Sequence, residues 1–144
     1  MKYKKTGIEA FSDAYWGNCR AARRSITGCL AKFDNCTVLW KSRKQPTVSI
    51  STSEAEYTAL CDLMSGLLWL KQLCEEAKLL NTSQPIITWE DDQICINIAN
   101  NDCNFKNKRM KHVDIQLHFI KEIIKAKAIE LRYKPTKDML ANFD

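Results

Sequence analysis

The chain has 144 residues and a formal net charge of +5 at pH 7, with 45% hydrophobic and 27% charged residues. This length predicts one domain with its own buried core, and the composition excludes a disordered or fibrous chain. No apolar run approaches the roughly 18 residues that span a membrane, and no apolar segment follows the basic N-terminus, so we expect neither membrane association nor a secretory signal.

The first half of the chain predicts a three-stranded meander followed by a long helix. Alternating apolar and polar residues predict strands over 8–13, 25–34 and 36–42. Apolar residues at helical spacing between 60 and 74 then predict an amphipathic helix. Glu54 and Glu56 each lie three residues after a serine, so either could complete a capping box at the start of this helix.

The second half predicts helices that alternate with single strands. In chain order these are a strand over 86–90, a short helix over 92–100, a long helix over 110–124 and a strand over 128–134. Pro135 ends the last strand, and Thr136 could cap a final short helix. The order β-β-β-α-β-α-α-β-α predicts an α/β domain with a mixed sheet covered by helices.

Acidic residues follow two strands that this topology makes neighbours. The long helix can return the chain so that the fourth strand lies parallel to the first. Asp13 and Asp91 then lie at the carboxyl ends of adjacent parallel strands, where open α/β sheets bind ligands. Carboxylates this close stay ionised together only beside a cation, and an all-oxygen site suits Mg²⁺ or Mn²⁺. Two such ions could catalyse phosphodiester hydrolysis.

Spacing alone leaves structural alternatives open for every one of these acids. Asp13 could simply end a strand before a turn, and Glu54 or Glu56 could cap the long helix. Asp91 or Asp92 could cap the short helix that follows.

Basic residues fall into three groups, which indicates a polyanionic partner such as nucleic acid, although solvated surface charge gives the same pattern. The groups are Arg20, Arg23 and Arg24; Lys41, Arg43 and Lys44; and Lys106, Lys108, Arg109 and Lys111.

Cysteines and tryptophans favour packing roles over chemistry. The seven cysteines include no C-x-x-C pair, which argues against a zinc site and predicts buried, reduced thiols in an intracellular protein. Cytoplasm is the expected location, with the nucleus as the alternative. Four tryptophans lie within apolar predicted elements, so we expect them in the core rather than stacked on bases; they are Trp16, Trp40, Trp69 and Trp89.

Six stretches, in the same order and at the same spacing, resemble the ribonuclease H domain at the end of copia-type retrotransposon polyproteins. They are FSDAYWGNCRAARRSITG (11–28), LWKSRKQPTVSISTSEAEYTAL (39–60), LLWLKQL (67–73), EDDQICINIA (90–99), KRMKHVDIQLHFIKE (108–122) and IELRYKPTKDMLA (129–141). The resemblance implies a ribonuclease H-like fold with a mixed five-stranded sheet, made of a three-strand meander plus two parallel strands. It also implies one domain over residues 1–144 whose C-terminal helix is truncated.

The resemblance assigns the acids residue by residue. The family's first catalytic aspartate falls on Asp13, its glutamate on the second one of E-A-E-Y, Glu56, and its third acid on Asp91. These three would be the metal ligands, with two Mg²⁺ or Mn²⁺ ions as cofactors. Asp92 stands where the family usually has asparagine. Asn142 stands where a fourth catalytic aspartate is expected, which removes a negative charge from the site and could impair activity.

The implied activity is endonucleolytic cleavage of the RNA strand of RNA–DNA hybrids during reverse transcription. The implied partners are the hybrid and a reverse transcriptase domain of the parent polyprotein, with the chain itself a monomer. Candidate contacts to nucleic acid are Arg23, Arg24, Lys41, Lys44, Arg109, Lys111 and His112, of which His112 could equally be structural. The alternative is a non-catalytic nucleic-acid-binding remnant of a decayed or domesticated element, an alternative that Asn142 and the early end of the chain favour.

Overall fold

The computed structural model describes residues 7–15, 24–45, 48, 52–79, 84–100 and 111–138. The elements in these ranges are β1 (Ile8–Tyr15), β2 (Ile26–Phe33), β3 (Cys36–Lys44), α1 (Thr52–Glu76), β4 (Ile86–Glu90), α2 (Gln93–Asn100), α3 (Lys111–Lys125), β5 (Ile129–Tyr133) and a 3₁₀ turn (Thr136–Asp138). Their order is the predicted one. The final helix is represented by the 3₁₀ turn, and its remaining residues lie outside the described ranges.

The five strands form one mixed sheet in the order β3-β2-β1-β4-β5. β1 and β2 are antiparallel, as are β2 and β3, whereas β4 is parallel to both β1 and β5. Asp34 and Asn35 form the β2–β3 turn with φ of 50° and 65°. These two residue types tolerate such values, and a turn of this kind matches the twist of a hairpin. The predicted fold class is confirmed.

The core lies between the sheet and α1, against which α3 also packs. The inward side of α1 is fully buried and carries Leu60, Leu63, Met64 and Leu67, the leucine-rich face that the sequence predicted. Burial of each such side chain stabilises the fold by about 2 kcal/mol. α1 runs from the meander back to the start of β4, so it also makes the connection that places β4 parallel to β1.

Two tryptophans contradict the predicted core positions. Trp40 is 61% exposed and Trp69 is 62% exposed. Trp40 lies on the edge strand β3, beside Leu30 and therefore on the sheet face opposite α1. Trp69 lies on α1 between the buried Leu67 and Leu70, on the outward side of the helix. An apolar neighbourhood in the sequence did not reveal which face each side chain takes.

Of the five cysteines that the structure describes, four are buried or half-buried, as predicted, and one is exposed. Cys29, Cys74 and Cys95 are buried and Cys61 is half-buried, but Cys36, at the start of the edge strand β3, is exposed. Cys19 and Cys103 lie outside the described residues, as does Trp16. Among the helices that the structure describes, none is both long enough and apolar enough to cross a bilayer.

Candidate metal centre

Three acids from distant parts of the chain meet at the carboxyl edge of the sheet. Asp13 lies near the end of β1, Asp91 follows β4 directly, and Glu56 lies in the second turn of α1. Each offers a carboxylate oxygen, and these oxygens all lie within 4.8 Å of one another. The parallel pairing of β1 with β4 brings their two strand ends together, and α1 begins at the same edge. The structure therefore assembles the predicted ligand set, whose role as metal ligands stays a prediction.

The Ala14 amide links two of the three acids. Its N–H donates to Asp13 Oδ1 at 2.9 Å and to Glu56 Oε1 at 3.2 Å. Glu56 is only 6% exposed, whereas Asp13 and Asp91 are half-buried. The carboxylate of Glu56 thus reaches across to β1 and does not turn back to cap its own helix. This contact decides against the capping-box alternative for Glu56.

The cluster disfavours its own negative charge. Burial, followed by the charges of Asp13 and Asp91, raises the pKa of Glu56 from 4.5 to about 9, against the lowering effect of hydrogen bonds with Glu90 and the Ala14 amide. Burial and the neighbouring Glu56 also raise the pKa of Glu90 well above its ordinary value. Such a group of acids either retains a proton or takes up a cation. Closely spaced carboxylate oxygens are the donor set that suits Mg²⁺ or Mn²⁺.

The consecutive acids Glu90, Asp91 and Asp92 have three different environments. Asp91 joins the acidic cluster. Asp92 Oδ1 accepts hydrogen bonds from the amides of Ile94 at 2.9 Å and Cys95 at 3.2 Å, so Asp92 is the N-cap of α2. Glu90 is 0% exposed, and its Oε1 accepts hydrogen bonds from the amides of both following residues. The family resemblance selects Asp91 as the ligand; of these three acids, the structure brings Asp91 into the acidic group, and its role as a ligand stays a prediction.

Glu90 is the residue of this region that sequence reasoning missed. The two preceding residues of β4 with the same orientation, Ile86 and Thr88, are both buried. Strand alternation therefore turned Glu90 toward the interior as well. That signal was present in the sequence and identifies a buried carboxyl group beside the predicted ligand.

Gln45 connects the start of α1 to the sheet and was also missed. It is almost fully buried, and its Nε2 donates to Thr27 Oγ1 at 3.1 Å and to the Ala55 carbonyl at 2.9 Å. Its backbone amide donates to the Ser25 carbonyl at 2.7 Å. These bonds join the ends of β2 and β3 to the helical turn that carries Glu56.

The predicted nucleic-acid contacts are only partly described. Arg24 and Lys44 are exposed, as such contacts require. Lys41 instead lies 3.6 Å from Asp62 of α1, and Arg43 also pairs with this carboxylate, at 3.1 Å. The side chains of Lys111 and His112, at the start of α3, lie outside the described residues. Arg23, Arg109 and the predicted fourth site residue, Asn142, lie outside them entirely.

Comparison with known sequences identifies retrotransposon relatives. No protein-family model matches the chain. The chain is 28% identical over 124 residues, 86% of its length, to the retrovirus-related Pol polyprotein from transposon TNT 1-94 of Nicotiana tabacum. It is 29% identical over 138 residues, 94% of its length, to the corresponding polyprotein from transposon RE1 of Arabidopsis thaliana. The chain spans 9% of the length of each polyprotein. The predicted relationship to copia-type polyproteins is confirmed.

Comparison with solved structures identifies the fold. LC11-RNase H1, isolated from compost, matches with a TM-score of 0.62 at 15% identity, over 92% of this chain and 86% of that one. A second structure of that protein, in complex with an RNA/DNA hybrid, matches with a TM-score of 0.61 at 15% identity, over 92% and 88% of the two chains. The chain has the ribonuclease H fold.

Proposed function

We propose that the chain is a ribonuclease H domain that cleaves the RNA strand of RNA–DNA hybrids with the help of divalent cations. The observation that carries this proposal is the meeting of Asp13, Glu56 and Asp91 at the carboxyl edge of a ribonuclease H-type sheet. The similarity to Pol polyproteins supports reverse transcription as the setting and a polymerase region of such a polyprotein as a partner. The proposed location is intracellular.

The described acids fit a divalent cation. Their oxygens are close enough to share one ion, and burial together with the charges of Asp13 and Asp91 raises the pKa of Glu56, so a bound cation would relieve this repulsion. Mg²⁺ is the proposed ion, with Mn²⁺ as a substitute, and two ions are the expected number. When bound, such cations activate a water molecule and stabilise the charge that develops on the scissile phosphate.

The protein's own residues place that chemistry. The Ala14 amide holds the carboxylates of Asp13 and Glu56 in a fixed relation, at 2.9 and 3.2 Å. Asp91 completes the set from the neighbouring strand. Arg24 and Lys44 are exposed and can contact phosphates of the hybrid, which would make binding weaken as salt increases.

A second candidate function is hybrid binding without cleavage. Asn142 favours it, because the copia-type pattern places an aspartate there and an amide oxygen brings no negative charge. Loss of that charge should weaken the second of two ions more than the first. The two candidates share one fold and one nucleic-acid partner, so only the reaction separates them.

Cleavage of a labelled RNA–DNA hybrid in Mg²⁺ or Mn²⁺ tests the proposal. The matched set is the unchanged chain, Asn142→Asp, and Asp13→Asn as the inactive control. We expect the unchanged chain to cut the RNA strand, and Asn142→Asp to cut it faster. Activity in Asn142→Asp alone would indicate a binding remnant that has lost one ligand. Absence of cleavage in both, with hybrid binding intact, would refute the nuclease proposal.

A further inference from the structure

We propose that Glu90 is a positioning residue that fixes the orientation of Asp91 in the metal centre by holding the main-chain turn on which Asp91 lies. The inference rests on the proposed function, since it concerns the geometry of the same three ligands. Glu90 itself is outside the group of oxygens that lie within 4.8 Å of one another. It therefore acts on the site through other residues.

The burial of Glu90 requires an explanation. A glutamate is among the residues least often buried completely, because removing a carboxyl group from water costs several kcal/mol without hydrogen bonds. Glu90 is 0% exposed at the end of β4. Its Oε1 accepts hydrogen bonds from the amides of Asp91 at 3.0 Å and Asp92 at 3.2 Å. One side-chain oxygen thus accepts hydrogen bonds from two successive amides of the turn that follows β4.

The main chain is anchored on both sides of Asp91. Before it, the carbonyl of Glu90 accepts the Lys134 amide at 3.0 Å, and Glu90 is paired with Tyr133 of β5. After it, the Asp92 carboxylate caps α2. Asp91 is therefore the residue at which the chain turns between a fixed strand end and a fixed helix start. The Glu90 carboxyl group holds the amide of the turning residue itself.

Glu90 also contacts a second ligand. Its carboxyl group interacts with that of Glu56, and each of the two has an Oε2 atom that is buried with no hydrogen-bond donor among the described residues. Glu90 consequently lies against Glu56 on one side and holds the Asp91 turn on the other, a placement that a simple core-filling role does not require.

The test separates the role of the Glu90 side-chain oxygen as a hydrogen-bond acceptor from the role of the side-chain volume. Glu90→Gln keeps an oxygen in place for both amides, Glu90→Met fills the same volume with no acceptor, and Glu90→Asp withdraws the oxygen by one methylene. The matched control is Thr88→Val, a near-isosteric change at a fully buried position of the same strand and face. Mn²⁺ affinity is measured by electron paramagnetic resonance, and Tm is measured on the same samples.

We expect Glu90→Gln to bind Mn²⁺ within about threefold of the unchanged chain. Glu90→Met and Glu90→Asp should each weaken binding about tenfold or more, the effect typical of losing an outer partner of a metal ligand. Thr88→Val should change only Tm. In the metal-free protein, the amide proton resonances of Asp91 and Asp92 should move upfield in the Met variant and stay near their original positions in the Gln variant.

Each outcome bears on one proposal. A folded Met or Asp variant with unchanged Mn²⁺ affinity overturns the positioning role, as does a folded Gln variant that loses as much affinity as Met. If only the Gln variant folds, native affinity in it supports the inference and reduced affinity overturns it. Failure of the unchanged chain to bind Mn²⁺ would instead count against the proposed function, and the amide resonances would still decide whether Glu90 holds the turn.

Discussion

Two carboxylates on the same helix show how differently this fold treats negative charge. Asp62, on the outer part of α1, faces Lys41 and Arg43 of β3 at 3.6 and 3.1 Å. Glu56, less than two turns earlier, faces Asp13 and Asp91, which together with burial raise its pKa to about 9. The charge of Asp62 is met by cations of the chain itself, so its role is structural. Glu56 lies among further acids, an arrangement that favours an external cation.

Removing one acid of the cluster should lower the rate of hybrid cleavage far more than removing Asp62, and this is the largest effect that we expect. Asp91→Asn keeps the shape of the side chain but removes a charged ligand, so we expect hybrid cleavage to fall about 100-fold or more. Asp62→Asn should leave the rate within about twofold, because its carboxylate belongs to the ion-paired region. Rates under single-turnover conditions provide the measurement. Equal losses in both variants would remove the distinction between the two carboxylates.

The next largest effect should be on the pH dependence of the stability of the metal-free protein. The pKa of Glu56 is about 9 in the folded chain and near 4.5 when unfolded, so the folded state binds the extra proton between these values. The free energy of unfolding should therefore fall as pH rises through this window, by at most about 1.4 kcal/mol per pH unit for one proton. Denaturant unfolding in chelator at several pH values measures this slope.

Two controls accompany that experiment. Glu56→Gln should flatten the slope, leaving the part that Glu90 contributes through its own raised pKa. Added Mg²⁺ should raise Tm more at pH 8.5 than at pH 6, because the ion must displace the proton. Stability that increases with pH across the window in the metal-free protein would contradict the described electrostatics.

Replacing Gln45, which joins the start of α1 to the sheet, should have an intermediate effect on the free energy of unfolding. Gln45→Met preserves volume but leaves Thr27 Oγ1 and the Ala55 carbonyl without the amide that donates to them. We expect a loss of about 1–3 kcal/mol in the free energy of unfolding, the usual range for a buried group that loses its partner. Chemical denaturation provides the measurement, and Ser65→Ala, on the exposed side of α1, is the control. A change below 0.5 kcal/mol, roughly the ordinary scatter of surface substitutions, would show that the segment relaxes without this bond.

The ion-paired region should give the smallest effect. Asp62 and its partners are half-exposed or exposed, so Asp62→Asn should cost roughly 0–1 kcal/mol, and less at high salt. Thermal unfolding at 0.05 and 1 M NaCl measures the loss of stability and its dependence on salt. A loss of several kcal/mol that does not depend on salt would contradict the description of Asp62 as a solvent-screened partner of Lys41 and Arg43.

The sequence was sufficient for the order of the elements, because that order follows from regular patterns, whereas the choice of Glu56 as the third acid of the cluster came from the family resemblance. Strand alternation and leucine spacing gave the element order, and parallel strand ends placed Asp13 near Asp91. Orientation was harder to predict. Trp40 and Trp69 are apolar residues in apolar segments, yet the strand face of one and the helix side of the other point to solvent. Only the assembled chain shows which faces are covered.

The sequence also could not predict which side chains of distant elements contact each other. The contact of Lys41 with Asp62 joins a strand to a helix across the meander–helix connection, and no local pattern selects that pair. The Gln45 bonds to Thr27 and Ala55 depend in the same way on where three elements meet. Glu90 is different, because its alternation with Ile86 and Thr88 was visible in the sequence.

The parallel pairing of β1 with β4 also has a consequence for how the chain reaches its native state. The two strands meet only after α1 has carried the chain back across the sheet, and such long-range contacts form slowly because the intervening loop must be closed first. The three acids come together only in that finished arrangement. A divalent ion would therefore bind the native state and not the unfolded chain, adding about 2.7 kcal/mol of stability at a free concentration 100 times its Kd. If the proposed metal centre holds such an ion, the ion would therefore stabilise the domain only once its fold is complete.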